Sequence, residues 1–533
     1  MAVFELSSFR GGLSDYNDKG IPGSFKFGSN LDIYKKADTL SCEQALIDEG
    51  LIGAASPSLS PSPSGSVSKS PSPSPGASPS PTDSESASES PSASPSPSAS
   101  PSPSHTPSPS PSPSAGLTTV FEGLIHWFVE ASDGYTYGFD NVGNIYRRDA
   151  DGFWARVYTD PGGAILGAAE WYSETGATYL YWATDTALHR KRLPGRADWN
   201  DVDEDAGWPK TNLTSADWHT MREAGGALVI ANSPWLAMVG YDDSYTNEAL
   251  DLIPGNIAKT IVERDGRSII GTVRASDPDR GVNSAIDSEV PLAQVGEDGE
   301  LFYANMTDSM PIKSFPGGGK TNPGGVCNEV EQVNFFEWEQ TALSWIDKQS
   351  VGNMALFAVY DADAGKGGVY SFGRKNKNKP FVMNLKHLLD ADELGAVASV
   401  DGKVLVSYRD GADFGVKVTN PNRKAIATYE GLELRSPVKK PGEITNWARA
   451  EVFCKPLPTG TSVEFWYKSN RTGDFKQAKM EGGWALFQAD GEMKGVFEIG
   501  TDAKIFEPRV VLNPSGNTRP EVNSVEVFFA EDG

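Results

Sequence analysis

Short runs of alternating apolar and polar residues fill the chain from Leu117 onward. The first of these runs are LIHWFVEAS, GYTYGF, NIYRRD and FWARVYT, each rich in aromatic or β-branched residues. The connectors between them contain Asp, Asn and Gly, which tolerate the positive φ angles of tight turns. This pattern predicts an antiparallel meander, and four strands within about 35 residues match one blade of a β-propeller.

The same rhythm returns at intervals of roughly 40 to 50 residues, which is typical of propellers rather than of sandwiches. Five further sets of strands begin with ILGAAEWYS, WHTMREAGG, AKTIVERDG, ALSWIDKQSVG and GAVASVDG, and the sixth set ends with AIATYEGLEL. We therefore predict an all-β protein with about six four-stranded blades, five or seven being the alternatives. Helical periodicity is confined to two short candidates, residues 43–47 and 387–394.

Three other stretches set the predicted domain boundaries. Residues 437–533 alternate regularly, as in a C-terminal β-sandwich, and we expect them to form a separate module packed on the propeller. Residues 56–115 form a Ser/Pro-rich low-complexity spacer, predicted to be disordered because it offers almost no apolar side chain and proline cannot donate to a sheet. Residues 1–55 are predicted to complete the propeller of residues 116–436 by supplying a closing strand.

The overall charge argues against one broad class of function. The 533 residues include 71 acidic and 47 basic side chains, which gives a formal net charge of −24. A nucleic-acid binder needs a basic face that displaces counterions from phosphate, so specific nucleic-acid binding is not expected. The three cysteines, Cys42, Cys327 and Cys454, have no zinc-site spacing, and no apolar stretch approaches the length of a membrane helix. We therefore expect no membrane insertion and no secretory signal.

One string resembles a phosphate-binding loop. Residues 317–321 read GGGKT, but Ser314 stands where the first glycine of a P-loop belongs. Pro323 stops the helix whose N-terminus the phosphate needs. We interpret this string as a glycine-rich loop without a nucleotide.

Another string resembles a calcium loop. Asp201, Asp203 and Asp205 alternate as calcium ligands do, but Ala206 and Asn212 stand where glycine and glutamate are required. We interpret these aspartates, together with residues 149–152 and 361–363, as hydrated turns in which Asp side chains bond their own backbone. No metal and no cofactor is therefore assigned.

Residues that could support catalysis form no recognisable set. No H-E-x-x-H pair or nucleophile elbow occurs, and we expect ordinary strand or surface positions for His105, His126, His189, His219 and His387. Ser132, Asp133 and Gly134 faintly resemble the aspartate box of sialidases but lack its spacer residue. A glycosidase would need paired carboxylates at the centre of the ring, which acidic composition alone does not establish. We assign no catalytic residue and expect no enzyme.

Short motifs at both ends of the chain resemble those of one protein family. The N-terminal motifs are Phe9-Arg10-Gly11-Gly12-Leu13, Ile21-Pro22-Gly23 and Asn30-Leu31-Asp32-Ile33. The others are Gly143-Asn144-Ile145-Tyr146-Arg147 with Gly152-Phe153-Trp154, the run from Cys454 to Thr461 with Phe465-Trp466-Tyr467, and Pro508-Arg509-Val510-Val511-Leu512. Together they resemble tail proteins of tailed bacteriophages, in which a β-propeller is followed by a terminal β-sandwich.

This resemblance implies a structural component of the virion tail, assembled in the host cytoplasm as a tail tube end, nozzle or tail-tip subunit. The implied partners are copies of the chain itself in a homo-oligomeric ring and neighbouring tail proteins. An acidic channel wall would let DNA pass without specific binding. The alternatives are a host-surface or glycan-binding adhesin that uses Trp154, Trp171 and Trp235, and then a glycosidase-type depolymerase; for those tryptophans we favour blade packing.

Overall fold

Every regular element in the described part of this computed structural model is a β-strand. The described residues are 2–7, 9, 13, 24–33, 39–49, 121–224, 226–252, 256–264, 267–274, 291–295, 301–305, 322, 324–328, 354–361, 366–373, 382–435 and 444–530. Within them we find no helix with the length and apolar character needed to cross a membrane. The Ser/Pro-rich spacer and the GGGKT string lie outside the described residues.

Three N-terminal strands precede the blades, and each joins a different partner. They are β1 (Ala2–Leu6), β2 (Phe27–Ser29) and β3 (Gln44–Asp48). The strand β3 pairs with the strand Asp413–Lys424, and β1 pairs with Val522–Phe529, the last of the described strands. This segment therefore contributes to both halves of the fold.

Among the described residues, six successive groups of antiparallel strands form the blades of a β-propeller. The first two are β4 (Ile125–Glu130), β5 (Thr136–Asp140), β6 (Asn144–Arg148) and β7 (Trp154–Thr159), then β8 (Gly167–Tyr172), β9 (Thr178–Ala183) and β10 (Leu188–Leu193). The third and fourth are β11 (Met221–Ala224), β12 (Ala227–Asn232), β13 (Trp235–Gly240) and β14 (Tyr245–Asp251), then β15 (Asn256–Arg264), β16 (Arg267–Arg274), β17 (Pro291–Val295) and β18 (Leu301–Asn305). The last two are β19 (Val326–Asn328), β20 (Met354–Asp361), β21 (Lys366–Gly373) and β22 (Val382–Leu389), then β23 (Glu393–Val400), β24 (Lys403–Asp410), β25 (Asp413–Lys424) and β3.

Glycine lets the innermost strands of neighbouring blades touch through their backbones. A Cβ added to Gly167 of β8 would lie 1.8 Å from the carbonyl oxygen of His219, just before β11. At the same place the His219 amide donates to the Leu166 carbonyl over 2.8 Å. A Cβ on Gly395 of β23 would likewise lie 2.2 Å from the carbonyl oxygen of Ile125 in β4. These contacts set the close spacing of the blades near the axis.

The turn between β6 and β7 follows the predicted chemistry. Asp149 Oδ1 accepts the backbone N–H groups of Asp151 and Phe153 at 3.0 and 2.8 Å, and Gly152 has a φ of 90°. The aspartate therefore bonds its own turn, as the sequence predicts. Residues 362 and 363 of the similar string lie outside the described residues.

The C-terminal strands form two sheets over one core. They are β26 (Ala427–Glu430), β27 (Thr445–Cys454), β28 (Ser462–Ser469), β29 (Thr472–Gln477), β30 (Lys479–Met480), β31 (Lys494–Ala503), β32 (Phe506–Asn513) and β33 (Val522–Phe529). One sheet has the order β1-β33-β27-β31-β30, and the other continues from the fifth blade as β22-β2-β26-β32-β28-β29. The sandwich is therefore not a separate module, since β2 bonds to strands of both parts.

Several elements differ from the sequence prediction. Residues 43–47 and 387–394 are not helical: most of the first form β3, and the second spans the end of β22 and the start of β23. The segment AIATYEGLEL is not the fourth strand of the sixth blade, because β26 pairs with β32 and β3 takes that place. Backbone partners from distant parts of the chain override local propensity at all three positions.

Candidate functional site

The sixth and first blades meet at what we call the seam of the ring. Glu49, the residue after β3, binds residues of the first blade there. Its carboxylate accepts hydrogen bonds from Arg148 Nε at 2.8 Å, from Arg148 Nη2 at 2.5 Å and from Trp154 Nε1 at 2.9 Å. Both ionic side chains are almost completely buried. A segment 99 positions earlier in the chain is thereby fastened to the first blade.

Phe121, where the described residues resume after the spacer, also lies at this seam. The ring of Phe121 lies 6.2 Å from that of Trp154 and 5.0 Å from that of Tyr146. Residues 49 and 121 therefore both contact Trp154. The described residues on either side of the Ser/Pro-rich spacer are therefore held at one place in the fold.

The motifs from the two ends of the chain meet in one core. Phe9, Leu13, Leu31 and Ile33 share this core with buried side chains of the sandwich: Cys454, Leu457, Phe465, Val510 and Leu512. Burial of the Cys42 and Cys454 thiols raises the pKa of each to about 12, so both stay protonated and act as small apolar side chains.

The polar residues of the Asn30-Leu31-Asp32 motif connect three parts of the structure. Asn30 Nδ2 donates to the Ile426 carbonyl at 2.8 Å, and its Oδ1 accepts the Leu388 amide at 2.9 Å. Asp32 is fully buried, and its Oδ2 lies 3.1 Å from Nη1 of Arg519. The Asn-x-Asp pattern of the motif is thus explained by the contact of Asn30 with the fifth blade and of Asp32 with the sandwich.

A segment that follows β10 takes the place of a fourth strand in the second blade. We call residues 194–213 the strap. It makes isolated backbone pairs with β10, between Lys191 and Val202 and between Leu188 and Lys210. The Asp203 amide donates to the Arg190 carbonyl at 3.0 Å.

The aspartates of the calcium-like string lie on the strap, and each is paired with a basic residue of β10. Asp201 Oδ1 lies 2.5 Å from Lys191 Nζ, and Asp205 Oδ2 lies 2.9 Å from Arg190 Nη2. Asp203 Oδ2 lies 2.7 Å from His189 Nδ1. The interpretation as a self-bonded turn is therefore corrected: these carboxylates fasten the strap, and among the described residues no cluster suitable for a metal ion occurs.

Two tryptophans of the strap cover the two faces of β10. Trp199 stacks on Tyr158 of the first blade at a centroid distance of 5.9 Å. Trp208 lies 4.2 Å from the guanidinium of Arg190, which is also 4.1 Å from the ring of Tyr179. The strap therefore fills the gaps on both sides of the second blade.

His189 lies between two carboxylates beneath the strap. Besides Asp203, its Nε2 lies 3.8 Å from Asp160 Oδ2, and its ring stacks on Trp182 at 5.7 Å. Burial by itself lowers the pKa of His189, but the hydrogen bond with Asp203 and the charges of both aspartates raise it above the ordinary value of 6.5. The sequence did not single out this group, although the complementary runs HRKR and DVDED are its visible signal.

The strap also lines a shallow cleft of about 530 Å³ with Gly176, Arg192, Arg196 and Glu204. Arg196 Nη1 pairs with Glu204 Oε1 at 2.9 Å. The cleft therefore offers internally paired charges rather than the isolated carboxylate pair of a glycosidase.

The other sequence candidates occupy structural positions. Trp154 and Trp171 are buried in the core between blades and Trp235 is half-buried, as the blade-packing interpretation expects. Asp133 bonds its own hairpin through the Tyr135 amide and the Tyr137 hydroxyl. His219 and His387 are buried, His126 lies on β4, and His105 is outside the described residues.

Comparison with known proteins shows a similarity of fold alone. No protein-family model matches this sequence, and no curated protein matches it either. Virginiamycin B lyase from Staphylococcus aureus is similar over 57% of this chain and 97% of its own, at 10% identity and a TM-score of 0.33. The WD40 β-propeller domain of Doa1 is similar over 57% of this chain and 95% of its own, at 10% identity and a TM-score of 0.29. A calcium-binding regucalcin from Agrobacterium tumefaciens covers 56% of this chain and 90% of its own, at 11% identity and a TM-score of 0.32.

Proposed function

We propose that the chain is a structural subunit of a bacteriophage virion tail that assembles into a symmetric ring through which DNA passes. It would act as a tail tube end, nozzle or tail-tip component, and not as an enzyme. The observation that carries this proposal is the shared core of the two terminal motifs. Residues that resemble phage tail proteins at opposite ends of the sequence, such as Leu31 and Phe465, pack in one cluster.

The charge of the chain is compatible with a DNA channel. A net charge of −24 makes retention of phosphate unfavourable, and repulsion is strongest at low salt because screening is weakest there. The expected result is that assembled rings do not retain duplex DNA at low ionic strength. Firm retention that salt releases would contradict an acidic channel.

The apolar surface supports a ring contact on the sandwich side. Among the described residues, the most exposed large apolar side chains are Trp484 at 67%, Ile444 at 59%, Met493 at 58% and Ile426 at 58%. All four lie in or beside the sheets of the sandwich. Tryptophan is enriched at the energetic centres of interfaces, so Trp484 is the best single probe.

The test is the assembly state of the purified full chain, followed by native mass spectrometry and negative-stain imaging. We expect rings with one fixed subunit number, and a smaller ring fraction for Trp484→Ser. The matched control is Tyr241→Ser, which removes another exposed aromatic, at 48% against 67% for Trp484, from the third blade. A chain that stays monomeric at every concentration would contradict the proposal.

A second candidate function, a host-surface or glycan-binding adhesin, is favoured by one observation. Tyr172 and Tyr241 are 42% and 48% exposed and meet edge to face at 5.7 Å. The Tyr172 hydroxyl donates to Glu223 at 3.4 Å, so an aromatic platform lies beside a carboxylate. In a host-cell binding assay the roles of the two variants reverse: Tyr241→Ser lowers binding and Trp484→Ser does not. Sugar release from the host envelope would instead favour a depolymerase.

A further inference from the structure

The strap is held to β10 by three side-chain pairs, and they differ in how they respond to pH. The pairs of Asp201 with Lys191 and of Asp205 with Arg190 join side-chain types whose unperturbed charges do not change in the neutral range. The pair of Asp203 with His189 joins a carboxylate to the one side chain whose unperturbed charge changes there. One of the three contacts therefore depends on a proton.

The surroundings of His189 favour its charged form from two sides. Asp203 faces it from the strap, and Asp160 faces it from the connection between β7 and β8. Asp160 is held in place by Trp182 Nε1 at 2.7 Å and by the Gly162 amide at 2.7 Å. Two fixed carboxylates thus flank a single imidazole.

A phenol, a lysine and two tryptophans complete the surroundings of His189. Burial and the two carboxylates raise the pKa of Tyr158 to about 12, so this phenol stays neutral. Lys191 lies two residues along the same face of β10 and is paired with Asp201. Trp182 and Trp199 complete the pocket with apolar rings.

We propose that His189 makes the docking of the strap dependent on pH, so that protonation holds the strap on β10 and deprotonation loosens it. Loosening would free the backbone groups of Leu188 and Arg190 that now bond to the strap. It would also open the cleft beside Arg196. The second blade would then present a three-stranded sheet with an uncovered outer edge.

The direction follows from linkage. A histidine whose pKa is raised in the docked state contributes stability that is fully present below its unperturbed pKa. That contribution is lost as the pH rises through the pKa of the docked state. The strap is therefore expected to be firm in mildly acidic solution and weaker in alkaline solution.

Hydrogen exchange of the full chain, read by mass spectrometry, tests this inference. We expect protection of residues 194–213, corrected for the intrinsic pH dependence of exchange, to fall as the pH rises through the His189 titration. Each pKa unit by which docking raises the pKa of His189 corresponds to about a tenfold loss of protection. Strands β12 and β13 serve as the internal reference and should stay unchanged.

Two variants separate the imidazole from general weakening of the strap. His189→Gln is expected to remove the pH dependence, whereas Asp205→Asn weakens the strap equally at every pH and keeps the slope. Protection that does not vary with pH in the native chain, or that varies equally in His189→Gln, would overturn the proposal. If His189→Gln does not fold, NMR titration of His189 in the native chain decides: a pKa below 6.5 overturns the inference.

Discussion

Individual carboxylates fasten segments that are far apart in the sequence. Glu49 binds Arg148 at the seam, and Asp32 binds Arg519 across most of the chain length. A buried ion pair of this kind adds little compared with apolar packing, but removal of one partner leaves an uncompensated buried charge. These residues therefore mark where single substitutions have large effects.

Glu49→Gln is expected to lower the free energy of unfolding by about 3 kcal/mol, because Arg148 keeps its charge without a partner. Urea or guanidinium denaturation at neutral pH measures the change. The control is Glu204→Gln, which breaks the exposed pair with Arg196 and should cost less than about 1 kcal/mol. Equal losses of unfolding free energy in the two variants would contradict the role of the Glu49–Arg148 pair at the seam.

The loss of stability in acid, which we call the acid limb, should depend on Glu433, which follows β26 and has a side chain that is 5% exposed. Hydrogen bonds from Arg471, and then from Arg435, lower the pKa of Glu433 below its usual 4.5. Its contribution is present above the unfolded pKa and is lost as the pH falls through the lower pKa of the folded state.

Denaturation midpoints measured between neutral pH and acid check this prediction. We expect Glu433→Gln to flatten the acid limb, whereas Glu481→Gln, at an exposed turn, leaves it unchanged. An acid limb that is equally steep in both variants would show that Glu433 does not titrate differently on folding.

At the scale of elements, the close approach of neighbouring blades depends on the innermost strands. Gly167→Ala is expected to destabilise the chain by about 1 to 3 kcal/mol, because the new methyl group meets the His219 carbonyl and the blades must move apart. Thermal unfolding measures the loss. Gly402→Ala is the control: its φ is 71° but no atom lies within 4 Å, so it reports backbone strain alone. A Gly167→Ala loss no larger than that of Gly402→Ala would contradict the contact.

Elements whose signal is local were predictable, and elements set by distant partners were not. The four strands of the first blade match their predicted segments because each alternates and ends at a turn residue. The residues of β3 include Gln44, Ala45 and Leu46, which favour helix locally, but pairing with β25 makes them a strand. The strap pairs escaped prediction for a related reason, since matching Asp203 to His189 requires a backbone register that the sequence does not reveal.

At the scale of the whole molecule, the described residues on either side of the spacer lie close together. Glu49 and Phe121 both contact Trp154, so a short linker can replace residues 56–114 without moving either. We expect this deletion to raise the free energy of unfolding by about 1 to 2 kcal/mol, because closing a shorter loop costs less entropy. Calorimetry of the two chains measures the difference. A large loss of stability would show that the spacer itself supports the fold.

The pairing of β1 with β33 also has a mechanical consequence. Ala2 lies opposite Phe529 and the strands run antiparallel, so the first residue of β1 and the last residue of β33 lie at the same end of the ladder. Tension between these two residues would load the hydrogen bonds one after another, as in opening a zip, instead of shearing them together. Pulling from this side would peel β1 away at low force, whereas a load applied across the blades would meet many bonds at once.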